Sequence, residues 1–132
     1  MSAASVTVFP RRTPPTILVV EHDARLRCLV SDELRFKGYK VLEAGSAGEA
    51  LTVLGAVGID LLFLDLDLPG EGGGLDVARQ ARGSASPIRV ILSSGTRTGE
   101  EAPDPFLLKP YHIPEVVEAI ARSLNWPELP EA

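Results

Sequence analysis

A chain of 132 residues, 45% of them hydrophobic, can bury one core and is expected to fold as a single domain. Its 13 Lys+Arg against 18 Asp+Glu give a net charge of -5, and the basic residues are scattered rather than striped along one face, which disfavours direct nucleic-acid binding. The single cysteine, Cys28, excludes an internal disulfide, and no apolar stretch suits a membrane span or a signal peptide, so a cytoplasmic, reducing setting is expected with no membrane partner.

Residues 1–15, "MSAASVTVFPRRTPP", mix small residues, prolines and two arginines without apolar periodicity and read as a disordered leader, within which "SVTVF" could pair as an edge strand. The domain proper is expected over 16–125, followed by a short tail over 126–132. "TILVV" is a β-branched apolar run suited to a strand buried on both faces. Leu26, Leu29, Val30 and Leu34 then recur at helical spacing, with Gly38 where a C-terminal cap is expected. "YKVLEA" predicts a second strand. Ser46 and Glu49 form a capping-box pattern that opens a helix through Leu54, closed by Gly55 and Gly58. "IDLLFLD" is a third strand running into the turn segment "LPGEGGG", and Leu75, Val77, Ala78 and Ala81 predict a helix ending near Gly83. "IRVILSS" and "FLL" are the fourth and fifth strands. Pro114 opens a last helix whose Val117, Ile120, Ala121 and Leu124 make an apolar face.

This order, βαβαβαβ followed by βα, predicts an α/β fold with a parallel sheet and helices on both faces. In such sheets, ligands gather at the carboxyl ends of the strands. Those ends carry Glu21, His22 and Asp23 after strand one, Asp65 after strand three, Ser93 and Ser94 after strand four, and Lys109-Pro110 after strand five. Clustered carboxylates repel one another unless a hard cation such as Mg2+ is shared between them. A phosphoryl group arriving at Asp65 would need that metal, with Lys109 and the Ser93 hydroxyl, to stabilise its oxygens. The constellation makes chemical sense as an aspartyl-phosphate site.

The segments "ILVVEHD", "DLLFLDLDLPG", "VILSSG" and "FLLKPY", in this order and at strand ends, closely resemble the receiver domain of two-component response regulators from Ile17 to about Leu124. The resemblance implies a flavodoxin-like, doubly wound five-stranded sheet of order 2-1-3-4-5. It implies Asp65 as phosphoacceptor, Glu21 as an acid of a Mg2+ pocket, and the backbone carbonyl of Asp67 as a metal ligand. Ser93 is then the hydroxyl that moves toward the phosphate, Lys109 its cationic partner, Phe106 the aromatic switch position, and Lys109-Pro110 a cis peptide bond, which proline tolerates.

Three departures from the family pattern carry expectations of their own. His22 stands where most receivers place a second, metal-touching acid, so Mg2+ binding is expected to be weak, Mn2+ to be tolerated and the site to be pH-sensitive. Asp23 either substitutes as a ligand or caps the first helix. The three glycines of "PGEGGGL", one residue longer than the usual turn, imply a flexible loop beside the site. The interval between Ser93 and Phe106 is too short for a full fourth helix with its connections, so that helix is expected to be short or missing and the output surface altered.

The expected function is a stand-alone receiver that accepts a phosphoryl group from a histidine kinase or phosphotransfer protein and signals by contact with a downstream protein. The alternative is a phosphorylation-independent adaptor that lost metal binding through His22. A flavodoxin-like cofactor carrier is disfavoured, because "EHDAR" is acidic where a phosphate cradle needs hydroxyls or glycines. The sequence is compatible with a homodimer.

Overall fold

In the computed structural model, which describes residues 13–70, 72–96 and 104–126, the apolar runs become five short strands. They are Thr16–Val20 (β1), Lys40–Ala44 (β2), Leu61–Asp65 (β3), Arg89–Ser94 (β4) and Phe106–Leu108 (β5). All neighbours pair in parallel and the order is β2-β1-β3-β4-β5. Four helices lie among the described residues: Ala24–Phe36 (α1), Ala47–Ala56 (α2), Gly73–Arg82 (α3) and Ile113–Leu124 (α4). The expected leader and its "SVTVF" strand fall almost wholly outside the described residues, as does most of the tail after Trp126.

The strands read as unbroken apolar runs because alternate side chains enter two different cores. Leu18, Val20, Leu62, Leu64, Val90 and Leu92 face Ala50 of α2 and Val77, Ala78 and Ala81 of α3. Ile17, Val19, Leu61, Phe63 and Ile91 face Val30 and Leu34 of α1 and Val116 and Ile120 of α4. Trp126 packs on this second side, and its carbonyl accepts the Tyr39 hydroxyl at 3.2 Å, which seals the open end of the core past α4.

Local signals set the helix ends. Asp23 caps α1: its carboxylate oxygen accepts the backbone N–H groups of Arg25 at 2.9 Å and Leu26 at 3.1 Å, two donors with no partner inside the helix. At the other end Gly38, at φ +100°, adopts the left-handed conformation that lets Tyr39 N–H bond back to Leu34. Ser46 caps α2 as the box pattern predicts, but α2 runs on to Ala56 with Gly55 inside its last turn. Ile113 rather than Pro114 begins α4, with Pro114 in its first turn.

Residues 95–105 link β4 to β5. None of those described is helical, and 97–103 lie outside the described residues. No described helix is long and apolar enough to cross a membrane.

Candidate functional site

Parallel strands deliver their last side chains to one edge of the sheet, and three of them converge there. Glu21 follows β1, Asp65 ends β3 and Lys109 follows β5. The two carboxylates are only 4% and 3% exposed. Lys109 Nζ lies between them, 2.7 Å from Glu21 Oε1 and 3.1 Å from Asp65 Oδ2. The remaining oxygens are also engaged, because Asp23 N–H donates to Glu21 Oε2 at 2.9 Å and Asp67 N–H to Asp65 Oδ1 at 2.8 Å. Lys109-Pro110 is cis. The Lys109 N–H donates to the Ser94 carbonyl at 2.9 Å, which fixes where the lysine leaves β5.

The charges respond to this crowding. Burial pushes the Glu21 carboxyl above the usual range, with the Asp65 charge adding to it, more than the Lys109 ammonium and the Asp23 N–H pull it down. For Lys109, burial acts downward but the Glu21 and Asp65 carboxylates outweigh it, so its pKa lies above the ordinary lysine value of 10.5. A raised lysine stabilises the fold below its unfolded value, and that contribution is lost as the pH climbs from 10.5 through the folded-state value. A proton-linked loss of stability above that pH, followed by denaturant midpoints, is therefore expected in the wild type and should be smaller in Lys109→Met.

The strand that ends in Asp65 is packed from beneath by glycine. Gly73 and Gly74 are buried in the first turn of α3, and a Cβ on Gly74 would lie 2.8 Å from both the Asp65 carbonyl oxygen and the Leu66 Cα. Rather than a flexible loop, these two glycines make a tight helix start that brings α3 onto the backbone of Asp65. Gly74→Ala is expected to cost about 1–3 kcal/mol in urea unfolding, because the obstacle is backbone and cannot rotate away.

The fourth strand brings a second cluster. Ser93, the register partner of Asp65, is buried and gives its carbonyl to Leu66 N–H at 2.8 Å. The hydroxyl tied into the site belongs instead to Ser94, whose Oγ donates to the Asp67 carboxylate at 2.9 and 3.0 Å. That carboxylate also accepts Gly95 N–H at 2.7 Å and the Thr96 hydroxyl at 2.8 Å. Burial would raise Asp67, but these donors hold its carboxyl below the usual aspartate range. The signal that distinguishes Ser94 from Ser93 is strand alternation, since Leu92 and Ser94 share the face of β4 that meets Phe106, itself half-buried against the α2–α3 core.

His22 is exposed, beside the carboxylates rather than among them. Asp23 commits its side chain to the α1 cap. Among the described residues no group of three His, Cys, Asp or Glu side chains stands where it could hold a metal ion. Glu21 and Asp65 are nevertheless hard oxygen donors of the kind Mg2+ accepts, an ion that uses one or two carboxylates and keeps several waters. The donor set fits such an ion, which would share its two carboxylates with the Lys109 ammonium.

Tyr111 was not singled out from sequence. Its ring lies 5.8 Å from that of Phe63 at 59°, and its buried hydroxyl has no hydrogen-bond partner among the described residues. Burial pushes that hydroxyl far above the usual tyrosine value, helped by the charges of Glu21, Asp65 and Asp23. Beside it, Leu26, Lys109 and Pro110 complete the lining of a recess of about 370 Å³.

A family model described as "Response regulator receiver domain" matches residues 17–121. The chain is 33% identical over 115 residues to the DNA-binding response regulator MtrA of Mycolicibacterium paratuberculosis, covering 83% of this chain and 51% of that protein. It therefore spans about half the length of the curated relatives it matches. Among solved structures it resembles a CheY-like receiver domain protein of Methanospirillum hungatei in fold, with a TM-score of 0.78 at 23% identity over 86% of this chain and 95% of that one. The response regulator TrrA of Thermotoga maritima, solved in complex with Mg2+-BeF, aligns with a TM-score of 0.72 at 27% identity over 82% of this chain and 97% of that one.

Proposed function

The chain belongs to the response regulator receiver domain family, and from that premise we propose that it accepts a phosphoryl group on the Asp65 carboxylate from a phosphohistidine on a histidine kinase or phosphotransfer protein. The observation that carries this reading is the buried Asp65 carboxylate paired at 3.1 Å with Lys109 at the carboxyl edge of the sheet. In the forward step an Asp65 oxygen attacks phosphorus, the new O–P bond forms as the P–N bond breaks, and the donor imidazole leaves. In the reverse direction of signalling, water attacks the acyl phosphate, restoring the Asp65 carboxylate and releasing inorganic phosphate.

Lys109 and Ser94 serve this transfer by meeting the charge that arrives. The Lys109 ammonium neutralises phosphoryl oxygens that would otherwise face Glu21, and Ser94 supplies a hydroxyl donor from the neighbouring strand. A Mg2+ or Mn2+ ion held by Glu21, Asp65 and the Asp67 carbonyl, with water completing its shell, would lower the repulsion between the incoming phosphoryl group and the acids. His22 adds no carboxylate to that set, which supports weak binding. Signalling then passes by contact to a downstream protein.

The test is incubation with a small phosphodonor and Mg2+, read as intact mass. Wild type is expected to gain one phosphoryl group, and Asp65→Asn is expected to lose the reaction by at least ~10³-fold, since the nucleophile is gone. Equal labelling of Asp65→Asn would overturn the proposal.

A second reading, a phosphorylation-independent adaptor, is favoured by one observation: Lys109 already bridges both acids, so a cation of the chain itself offsets part of their mutual repulsion in the unmodified site.

A further inference from the structure

Asp67 stands two residues beyond Asp65, yet its carboxylate bonds neither Lys109 nor the acceptor. It is turned onto the tip of β4, where it takes the Ser94 hydroxyl at 2.9 and 3.0 Å, Gly95 N–H at 2.7 Å and the Thr96 hydroxyl at 2.8 Å. Thr96 N–H in turn donates to Ser94 Oγ at 3.1 Å, so the three residues form one closed knot around a single anion. The backbone N–H of the same Asp67 donates to Asp65 Oδ1 at 2.8 Å. One residue thus touches the acceptor with its main chain and holds the neighbouring strand tip with its side chain. A serine hydroxyl has one proton to give, and Ser94 gives it to Asp67.

We propose that Asp67 is a positioning residue: its carboxylate latches Ser94, Gly95 and Thr96 in the unmodified protein, and a phosphoryl group on Asp65 competes with it for the Ser94 hydroxyl. The proposal rests on Asp65 being the phosphoacceptor. The physical basis is that two anions two residues apart, one at the end of β3 and one in the turn that follows it, want the same donor. While Asp67 keeps it, the phosphoryl group forms without its hydroxyl partner, and when the phosphoryl group takes it the knot loses the proton that closes it. Asp67 therefore slows phosphorylation and couples the acceptor to the position of the β4 tip. Removal of negative charge beside the acceptor is the simpler explanation for any faster reaction at Asp67 variants, and it differs in one respect: charge acts whether or not Ser94 is present, whereas the latch acts only through it.

A double-mutant cycle separates the two. The phosphorylation rate with a small phosphodonor and Mg2+ is measured for wild type, Asp67→Ala, Ser94→Ala and the pair. Asp67→Ala is expected to react about tenfold faster than wild type in the Ser94 background and to change the rate little in the Ser94→Ala background. Equal acceleration in both backgrounds, or none in the first, overturns the latch. A second measurement does not depend on phosphorylation: amide hydrogen exchange at Gly95 and Thr96 in the unmodified chain. These amides should exchange at least about tenfold faster in Asp67→Ala, with Asp67→Asn, which keeps one acceptor oxygen and the same shape, falling between. Unchanged exchange in both variants also overturns the proposal. If no variant, wild type included, takes up phosphate, the phosphoacceptor reading falls and the competition with it, while the exchange rates still report whether Asp67 holds the β4 tip.

Discussion

Lys109→Met is expected to slow phosphorylation of Asp65 by about 10²–10³-fold, the effect typical of removing a preorganised charge from a site where negative charge accumulates. The lysine lies 22% exposed between two carboxylates that are themselves almost fully covered, so water replaces its charge poorly. The same substitution leaves Glu21 and Asp65 facing each other with no cation between them. Glu21, already pushed up by burial and by the Asp65 charge, is the group expected to take a proton, which limits the loss of fold stability. Rates with a small phosphodonor and urea midpoints, measured on one preparation, check both halves. A Lys109→Met protein that phosphorylates at the wild-type rate would remove the lysine from the reaction.

His22→Asp is expected to tighten Mg2+ binding by about tenfold or more, which is roughly 1.4 kcal/mol or more, read by calorimetric titration. The exposed imidazole at this position is a poor partner for a hard cation, and the one neighbouring acid that could replace it, Asp23, is occupied in capping α1. A carboxylate at position 22 adds the missing hard donor beside Glu21 and Asp65. If wild type binds Mg2+ as tightly as the variant, His22 is not what limits the metal. Binding only in the variant, together with no phosphorylation of wild type, would favour the adaptor reading.

The two-sided burial of the strands was legible because each of "TILVV", "LLFLD" and "VILSS" stays apolar at consecutive positions, the mark of strands covered on both faces. Helix starts were legible where a side chain does the capping, as at Asp23 and Ser46. Contacts between distant segments were less legible. "GGG" reads as flexibility until α3 is seen against the Asp65 backbone, where Gly74 is needed because nothing larger fits. Ser93 and Ser94 are chemically identical neighbours, and only strand alternation, which puts Ser94 on the face of β4 shared by Leu92, separates the hydroxyl that reaches Asp67 from the one that does not. That the Asp67 side chain would turn to Ser94, Gly95 and Thr96 has no local signal at all, because its partners lie 27 to 29 residues further along the chain.

The most direct measurement is chemical mapping of the phosphorylated residue. Borohydride reduces an acyl phosphate to an alcohol, so a chain phosphorylated with a small donor and then reduced should yield homoserine at position 65 in its peptide map. Conversion confined to that position is the predicted result. Phosphate retained on a different residue, with Asp65 recovered intact, would contradict it.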